Sequence, residues 1–363
     1  MRSFEEVVSN LSDIRAEAEE VRNKELGGLK KKGIIYGVIA VFICLGLGLF
    51  LQSIYPALFT LIFALTGFGF FIYKPHYDAY QRVFKPILHR MLEYMLEKEV
   101  RYTQNGSVNM DDFNHSEVIE QHLGGMDRFK SEDTFESTYL DVPFIFSEVK
   151  AEEHYRDNEN KSRYRTVFDG ILFESLFNKE FKGVTVVRDN GKKLPKSGGN
   201  WFSLLMVLLV FGVFASVFGS IFIFTGSEIS FEGAKGLWIP IVVSLVLFFV
   251  FGKRKRQKVH LENVEFNEVF NVYADSQIES RYILSTSLME KIYNMRENMG
   301  RKVNLTFKEN RLYIGMEFEG EDLFEGRLNK PLTEQDLKVE YEFFSNLIGI
   351  IEELELNVDI WKV

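Results

Sequence analysis

Hydrophobic residues along this chain follow three spacings, and each predicts a different kind of element. In four stretches, 33–51, 55–73, 201–224 and 236–251, the chain is almost wholly apolar and holds no Asp, Glu, Lys, Arg or His. A hydrocarbon core of about 30 Å takes about 20 helical residues. Backbone polar groups in lipid must be paired within the segment, so each stretch predicts a membrane-crossing helix. The fourth is short, with Lys235 and Lys253 placed to snorkel at its ends. The stretches group as two hairpins.

A helical spacing of three and four governs other segments. Over 3–25, Phe4, Val7, Leu11, Ile14, Ala18 and Val21 form one seam. That seam predicts a helix packed on the protein's own polar domain, with a short self-associating coiled coil as the other reading. Residues 76–101 predict a helix with Tyr80, Phe84, Ile87, Leu88, Met91, Met95 and Leu96 on one face, and Pro86 predicts a kink or a new turn. Further helices are predicted at 287–298 and at 333–354, where Thr333 caps and Asp336 closes a capping box. A short one is predicted from His115 to Leu123, ending at Gly124-Gly125.

A period of two marks strands at 139–142, 144–149, 163–172 and 184–188, with a charged turn over 151–161. Strand pieces follow at 259–266 and 283–284, and a hairpin at 302–308 and 311–318 turns on Glu309-Asn310. The fold class is therefore α+β: four transmembrane helices in two hairpins, plus a cytosolic domain with an antiparallel sheet and flanking helices. Along the chain this divides into an amphipathic helix (1–32), hairpin 1 (33–73), a cytosolic helix with the first part of the domain (74–200), hairpin 2 (201–252) and the rest of the domain (253–363). Whether the two cytosolic segments share one sheet is left open by the pattern.

Charge gives the threading. Lys24, Lys30, Lys31 and Lys32 precede the first span, and Lys74, Arg82, Lys85 and Arg90 follow the second. Lys192, Lys193 and Lys196 precede the third, and Lys253, Arg254, Lys255, Arg256 and Lys258 follow the fourth. The turns inside each pair carry almost no positive charge. Positive residues mark the cytoplasmic side, so both termini and the polar bulk are expected in the cytoplasm, with Trp201 and Trp238 as interfacial anchors. A cleaved signal peptide is not expected, because a charged helical segment precedes the first apolar run.

The formal net charge of −9 is concentrated away from the spans: residues 102–191 hold 18 acidic against 10 basic side chains, and 259–363 hold 21 against 11. An acidic soluble portion argues against nucleic acid as a partner. The basic runs are read as topology determinants resting on anionic headgroups, so membrane lipids are expected partners.

Candidate chemistry is sparse. The lone Cys44 lies in the first span and reads as apolar filler. His76, His89, His115, His122, His154 and His260 form no metal-ligand spacing. No phosphate loop, dinucleotide fingerprint or nucleophile elbow occurs. No catalytic, cofactor-binding or metal residue is therefore assigned, and no cofactor is expected. The most concentrated polar group is Tyr273, Asp275, Glu279 and Arg281; in a strand, Glu279 and Arg281 share a face, and a structural ion pair is the preferred reading. Asn178, Lys179 and Lys182 predict a turn. Within the spans, Gly33 and Gly37, and Gly212, Ser216 and Ser220, allow close helix packing.

Three blocks carry a family resemblance: the run from Phe146 to Glu152; Phe168-Asp169-Gly170-Ile171-Leu172-Phe173 with the run from Phe177 to Val187; and the run from Leu261 to Tyr273 with Glu279-Ser280-Arg281-Tyr282-Ile283-Leu284 and Met289-Glu290. In this order they resemble DUF3137, a family of bacterial membrane proteins of unknown function. The resemblance implies an N-terminal transmembrane pair, a cytosolic domain and residence in the bacterial inner membrane. It brings no catalytic residues. The hairpin at 201–251 departs from the expected pattern, because it interrupts the domain between the second and third blocks. The expected function is that of a non-enzymatic interaction or scaffold protein, with a protein partner or self-association. A membrane-anchored enzyme with an unrecognised site and a lipid-headgroup sensor using 253–258 are the alternatives.

Overall fold

A computed structural model describes residues 1–52, 54–119, 126–156, 160–177, 180–190, 256–318 and 324–358. The third and fourth predicted spans, Trp201, Trp238, His122, Asn178 and Lys179 lie outside the described residues, as does the first half of the 253–258 basic run.

The first element is one helix, α1 (Phe4–Phe50), which joins the predicted 3–25 helix and the first span without a break. At 1.5 Å per residue it is about 70 Å long. Ser3 and Glu6 form a reciprocal capping box at its start. Its N-terminal half packs on the sheet domain through Val7, Leu11, Ala18 and Arg22. The seam thus shifts from the expected Val21, which is half-buried, to Arg22. A straight 3.6-residue helix drifts off a 3.5 repeat, and by the third heptad the inward position has moved on by one. Arg22 fills that position with its guanidinium paired to Glu19 at 2.9 Å and reaching the Leu328 carbonyl at 3.4 Å. The C-terminal half is exposed and apolar; Leu49 and Phe50 are 79% and 84% accessible.

The chain returns through α2 (Ile54–Gly67), a π-helical turn (Phe68–Tyr73) and α3 (Lys74–Leu96). The predicted exit at Pro75 is therefore not a break. The wider π turn precedes Pro75, whose ring has no N–H to give to the turn before it. The Tyr36 hydroxyl donates to the Ala64 carbonyl at 3.0 Å, and Gly33 lies against the Phe68 ring, so α1 and α2 form a hairpin. Among the described residues two helices, α1 and the run Leu58–Leu96, are long and apolar enough to cross a membrane. The seven apolar positions predicted for one face of α3 are all buried, and the helix continues through Pro86.

The polar domain is α+β. Strands β1 (Arg101–Asn105), β2 (Arg128–Tyr139), β3 (Val142–Arg156), β4 (Ser162–Leu176), β5 (Thr185–Asp189), β6 (Gln257–Val259), β7 (Phe270–Ala274), β8 (Val303–Lys308) and β9 (Arg311–Glu317) make one antiparallel sheet in the order β1-β2-β3-β4-β9-β8-β5-β7-β6. The segments before and after the predicted second hairpin are interleaved: β4 pairs with β9, and β5 lies between β8 and β7. One row of register partners crosses all nine strands: Tyr102, Phe135, Phe146, Phe173, Ile314, Leu305, Val187, Val272 and Val259. All but Tyr102 in this row are fully buried. Burial of each such side chain stabilises by about 1.5–3 kcal/mol, which explains why the interrupted chain closes into a single sheet.

Helices complete the two layers: α4 (Met110–Ser116), α5 (Val264–Val269), α6 (Gln277–Ile283), α7 (Thr286–Met299) and α8 (Glu334–Val358). One face of the sheet carries the main core, shared with α1, α3, α7 and α8. Phe343 and Phe344 of α8 meet Phe324 and Phe146 there, with the Phe146 and Phe344 rings 5.3 Å apart. On the opposite face α4 covers a smaller cluster, with Phe113 5.1 Å from Phe168. Thr333 and Asp336 form the expected capping box of α8.

Several expected elements are corrected. Residues 139–142 are not a strand: Leu140 and Asp141, both at positive φ, are the two-residue turn between β2 and β3. Leucine lacks the turn signal that Asn or Gly carries at such a position. The charged segment from Ala151 to Arg156 continues β3, because opposite charges pair across it, as in Arg128 with Glu152 and Arg165 with Glu153. Most of the predicted 259–266 strand is the approach to α5, whose start is capped by Asn263. Residues 283–284 end α6; near His115 a helix spans 110–116, capped by Asn109, and the rest of the predicted 115–123 helix from residue 120, with Gly124-Gly125, lies outside the described residues.

Candidate functional site

The polar group at 273–281 is a brace for the backbone. Ser276 caps α6, so Glu279 and Arg281 stand on a helix two residues apart and point away from each other. The shared strand face, and the ion pair expected on it, are not formed. Glu279 accepts from the Lys182 N–H at 2.5 Å, and Asp275 from the Val184 N–H at 2.9 Å. Arg281 donates to the His260 carbonyl at 3.3 Å. These carboxylates satisfy backbone donors of the exposed 180–184 turn that leads into β5.

The described histidines are spread over the fold. His76 pairs with Glu25 at 2.5 Å between α1 and α3, His89 contacts the Val100 carbonyl, His115 faces Glu309, and His154 meets Ser162. Among the described residues no group of three or more His, Cys, Asp or Glu side chains is placed to hold a metal ion. A second polar knot joins the two halves of the domain. Glu117, just after α4, accepts from Arg256 at 2.7 Å and from Lys308 at 3.2 Å. Loss of solvent pushes its carboxyl up, but the two cations outweigh that and hold it below the usual range.

A cleft of about 520 Å³ lies beside the helices that continue into the apolar spans. Its walls are Tyr80 and Phe84 of α3, the residues after α7, the connector 324–333 and the first turns of α8. The connector is fixed by short-range hydrogen bonds. Gln81 donates to the Gly326 carbonyl at 2.7 Å and accepts from its N–H at 2.9 Å. A Cβ at Gly326 would stand 2.6 Å from both the Tyr80 and Phe84 rings, so only glycine lets the connector approach. Leu332 N–H donates to Glu19 at 2.6 Å, and Tyr77 donates to Glu325.

The cleft is polar at its mouth. Arg301, Arg327 and Lys330 stand there with Glu325, Asp336, Glu340 and Glu342. Asp336 is committed to the Thr333 cap, and Glu342 pairs with Lys338 at 3.9 Å. Burial pushes the Glu325 carboxyl up, and burial pushes Tyr80 up to about 12. Glu340 is half-buried as a residue, yet loss of solvent, and after it the charge of Asp336 one turn earlier, push its carboxyl up to about 8. The folded chain therefore binds a proton that the unfolded chain releases between the ordinary carboxylate range and that raised value. Stability from this group is complete at low pH and is lost as pH rises through the window. Replacing Glu340 by Gln is expected to leave thermal stability near pH 5 close to that of the native chain and to raise it near pH 8. A net gain of about 1 kcal/mol would appear as about 2–4 °C. Thermal unfolding at both pH values checks this, and an equal shift at the two contradicts it.

No feature used in reading the sequence pointed to this cleft. Its lining comes from α3, the connector and α8, which the fold alone brings together. A local signal that could have marked the connector as a defined segment is Pro331 just before the Thr333 cap.

Comparison with known proteins adds the following. No curated protein matches the chain. The crystal structure of the mycobacterial trehalose monomycolate transport factor A, TtfA, is similar over 75% of this chain and 93% of that one, at a TM-score of 0.35 and 5% identity. Likeness at that level carries no argument about either fold or role. Residues 166–356, more than half of the chain, match DUF3137, described as a protein of unknown function. The match starts later than the resembling blocks suggested and takes in α8. The chain belongs to the DUF3137 family.

Proposed function

We propose that this protein is a non-enzymatic interaction protein of the bacterial cytoplasmic membrane, with both termini and the sheet domain on the cytoplasmic side and a second membrane hairpin at 201–252. The observation that carries this reading is the continuity of α1. One helix has its first half seated in the core and its second half apolar and exposed. The α2–α3 run repeats the arrangement in the opposite direction. Unbroken helices leave no flexible linker between anchor and domain, so the domain is held at a fixed height and orientation. Lys30, Lys31, Lys32 and Lys74 flank the apolar halves on the domain side, which favours the cytoplasm for that side. The acidic candidates at 275 and 279 are used to hold backbone, which favours binding over catalysis.

The long β3–β4 arm offers a surface for a partner, since the first five residues of β4 are exposed and Tyr155 and Tyr164 are accessible. The test is in intact cells. The chain is expected to stay with membranes after alkaline wash, and a single cysteine at Gln52, in a Cys44→Ser background, to react with an impermeant thiol reagent from outside. A cysteine at Asn105 is expected to react only after permeabilisation. Release by alkaline wash, or external labelling at Asn105, overturns the anchor. A photo-crosslinker at Tyr155 or Tyr164 is expected to trap a discrete adduct, with itself or another protein; none at any exposed position of the arm overturns the interaction reading.

A further inference from the structure

We propose that the cleft between α3, the 324–333 connector and α8 binds the phosphate-bearing headgroup of an anionic lipid, resting on the membrane reading above for the source of that ligand. The argument begins with height. Contacts along α1 act as a ruler: Arg2 meets Tyr341 at 2.7 Å, Arg15 meets Glu334 at 3.1 Å, and Glu19 meets Leu332 at 2.6 Å. Then Arg22 meets Leu328, Glu25 meets His76, and Gly33 meets Phe68. The connector therefore climbs α1 toward the apolar half, while α8 runs away from it. From Arg22 to Gly33, where apolar sequence starts, the helix rises about 16 Å. The headgroup layer takes up about 5–7 Å of that distance. An arginine side chain on the connector spans most of the remainder.

Charge comes next. Arg327 and Lys330 are exposed on the connector at the mouth of the cleft, and neither has an ion-pair partner among the described residues. Three cations, Arg301, Arg327 and Lys330, share this rim with four acids, so the site depends on those acids being engaged elsewhere. The acids beside them are engaged with other groups: Asp336 accepts from the Thr333 cap, Glu325 from Tyr77, Glu342 pairs with Lys338, and loss of solvent pushes the Glu340 carboxyl up. Behind the mouth the walls are aromatic and aliphatic, with Tyr80, Phe84, Phe318 and Phe343. Cations at the rim over an apolar floor, in a volume typical of small-molecule sites, match an amphiphile with an anionic head. Each cation near an anionic surface adds to the attraction for it.

Native mass spectrometry of the full chain in neutral detergent tests the assignment, with short-chain phosphatidylglycerol, short-chain phosphatidylcholine and inorganic phosphate as probes. One phosphatidylglycerol is expected to be retained at least tenfold more strongly than phosphatidylcholine. The double variant R327E/K330E is expected to abolish that preference, while K161E/R163E on the distant β3–β4 arm leaves it intact. Equal retention of the two lipids, or equal loss in both double variants, overturns the site. Thermal unfolding of R327E/K330E shows whether it is folded. If it is not, the milder R327Q/K330Q, which keeps the side-chain bulk and removes the charge, must lose the preference, and retention by that variant overturns the site. The outcomes separate this proposal from the anchor on which it rests. A chain released by alkaline wash that still retains phosphate through Arg327 and Lys330 loses the lipid source and keeps an anion site. A membrane-bound chain that makes no distinction among the three probes keeps the anchor and loses the site.

Discussion

Replacing Phe146 by Ala is expected to cost the sheet domain about 3–5 kcal/mol. Phe146 is 1% exposed and stands where three layers of contact meet. Within the sheet it is the register partner of Phe135 and Phe173. Above the sheet its ring lies 5.9 Å from Phe324 of the connector and 5.3 Å from Phe344 of α8. Truncation removes the transfer energy of the ring and leaves a cavity that rigid strands on both sides cannot close. Phe146→Leu, which keeps most of the volume, is expected to lose much less. Denaturant unfolding of the solubilised chain measures both. A loss below about 1 kcal/mol for Phe146→Ala would mean that α8 is not seated on β3.

The second large effect is expected at Lys85. Its ammonium lies 2.6 and 2.8 Å from the two carboxylate oxygens of Asp133, which is 2% exposed and sits at positive φ at the irregularity in β2. Tyr102 of β1 donates to the same carboxylate, and burial raises its own hydroxyl. Lys85→Met leaves a buried carboxylate with one neutral donor, a change that costs about 3–5 kcal/mol. Asp133→Asn in the same chain removes the stranded charge, and Asn tolerates the left-handed backbone. The double variant is therefore expected to recover most of the loss, and the double-mutant cycle reads out the coupling. Additive losses would show that the pair is not buried as described. The pair also pins α3 to β2, so it contributes to the fixed junction between the apolar helices and the sheet.

How much of this was legible in the sequence depended on whether a local period decided the outcome. The α3 face from Tyr80 to Leu96, the β8–β9 hairpin and the α8 cap were legible, because each is set by side chains a few residues apart. Where two local signals conflicted, the reading failed. Leu140-Asp141 looked like strand residues and made the turn, and the predicted 259–266 strand ended in the first residues of a helix behind its Asn263 cap. The cluster at 273–281 was correctly singled out as polar and dense, but its meaning depended on the 180–184 turn, about ninety residues earlier in the chain. The cleft was invisible for the same reason: Tyr80 and Glu340 share no local pattern.

By itself the sequence determined the two described apolar helices, the α+β class and the family, since these follow from composition, short-range periodicity and short sequence blocks. The tertiary structure alone decided that α1 is a single helix joining an exposed apolar half to the core, and that strands on both sides of the interruption form one sheet. It also decided that Arg327 and Lys330 stand at the mouth of a cleft beside the helices that continue into the apolar stretches. The physical reason is common to all three. Pairing β5 between β7 and β8 buries one continuous apolar row, and the gain from that row depends on partners far apart in the chain, which no local pattern records.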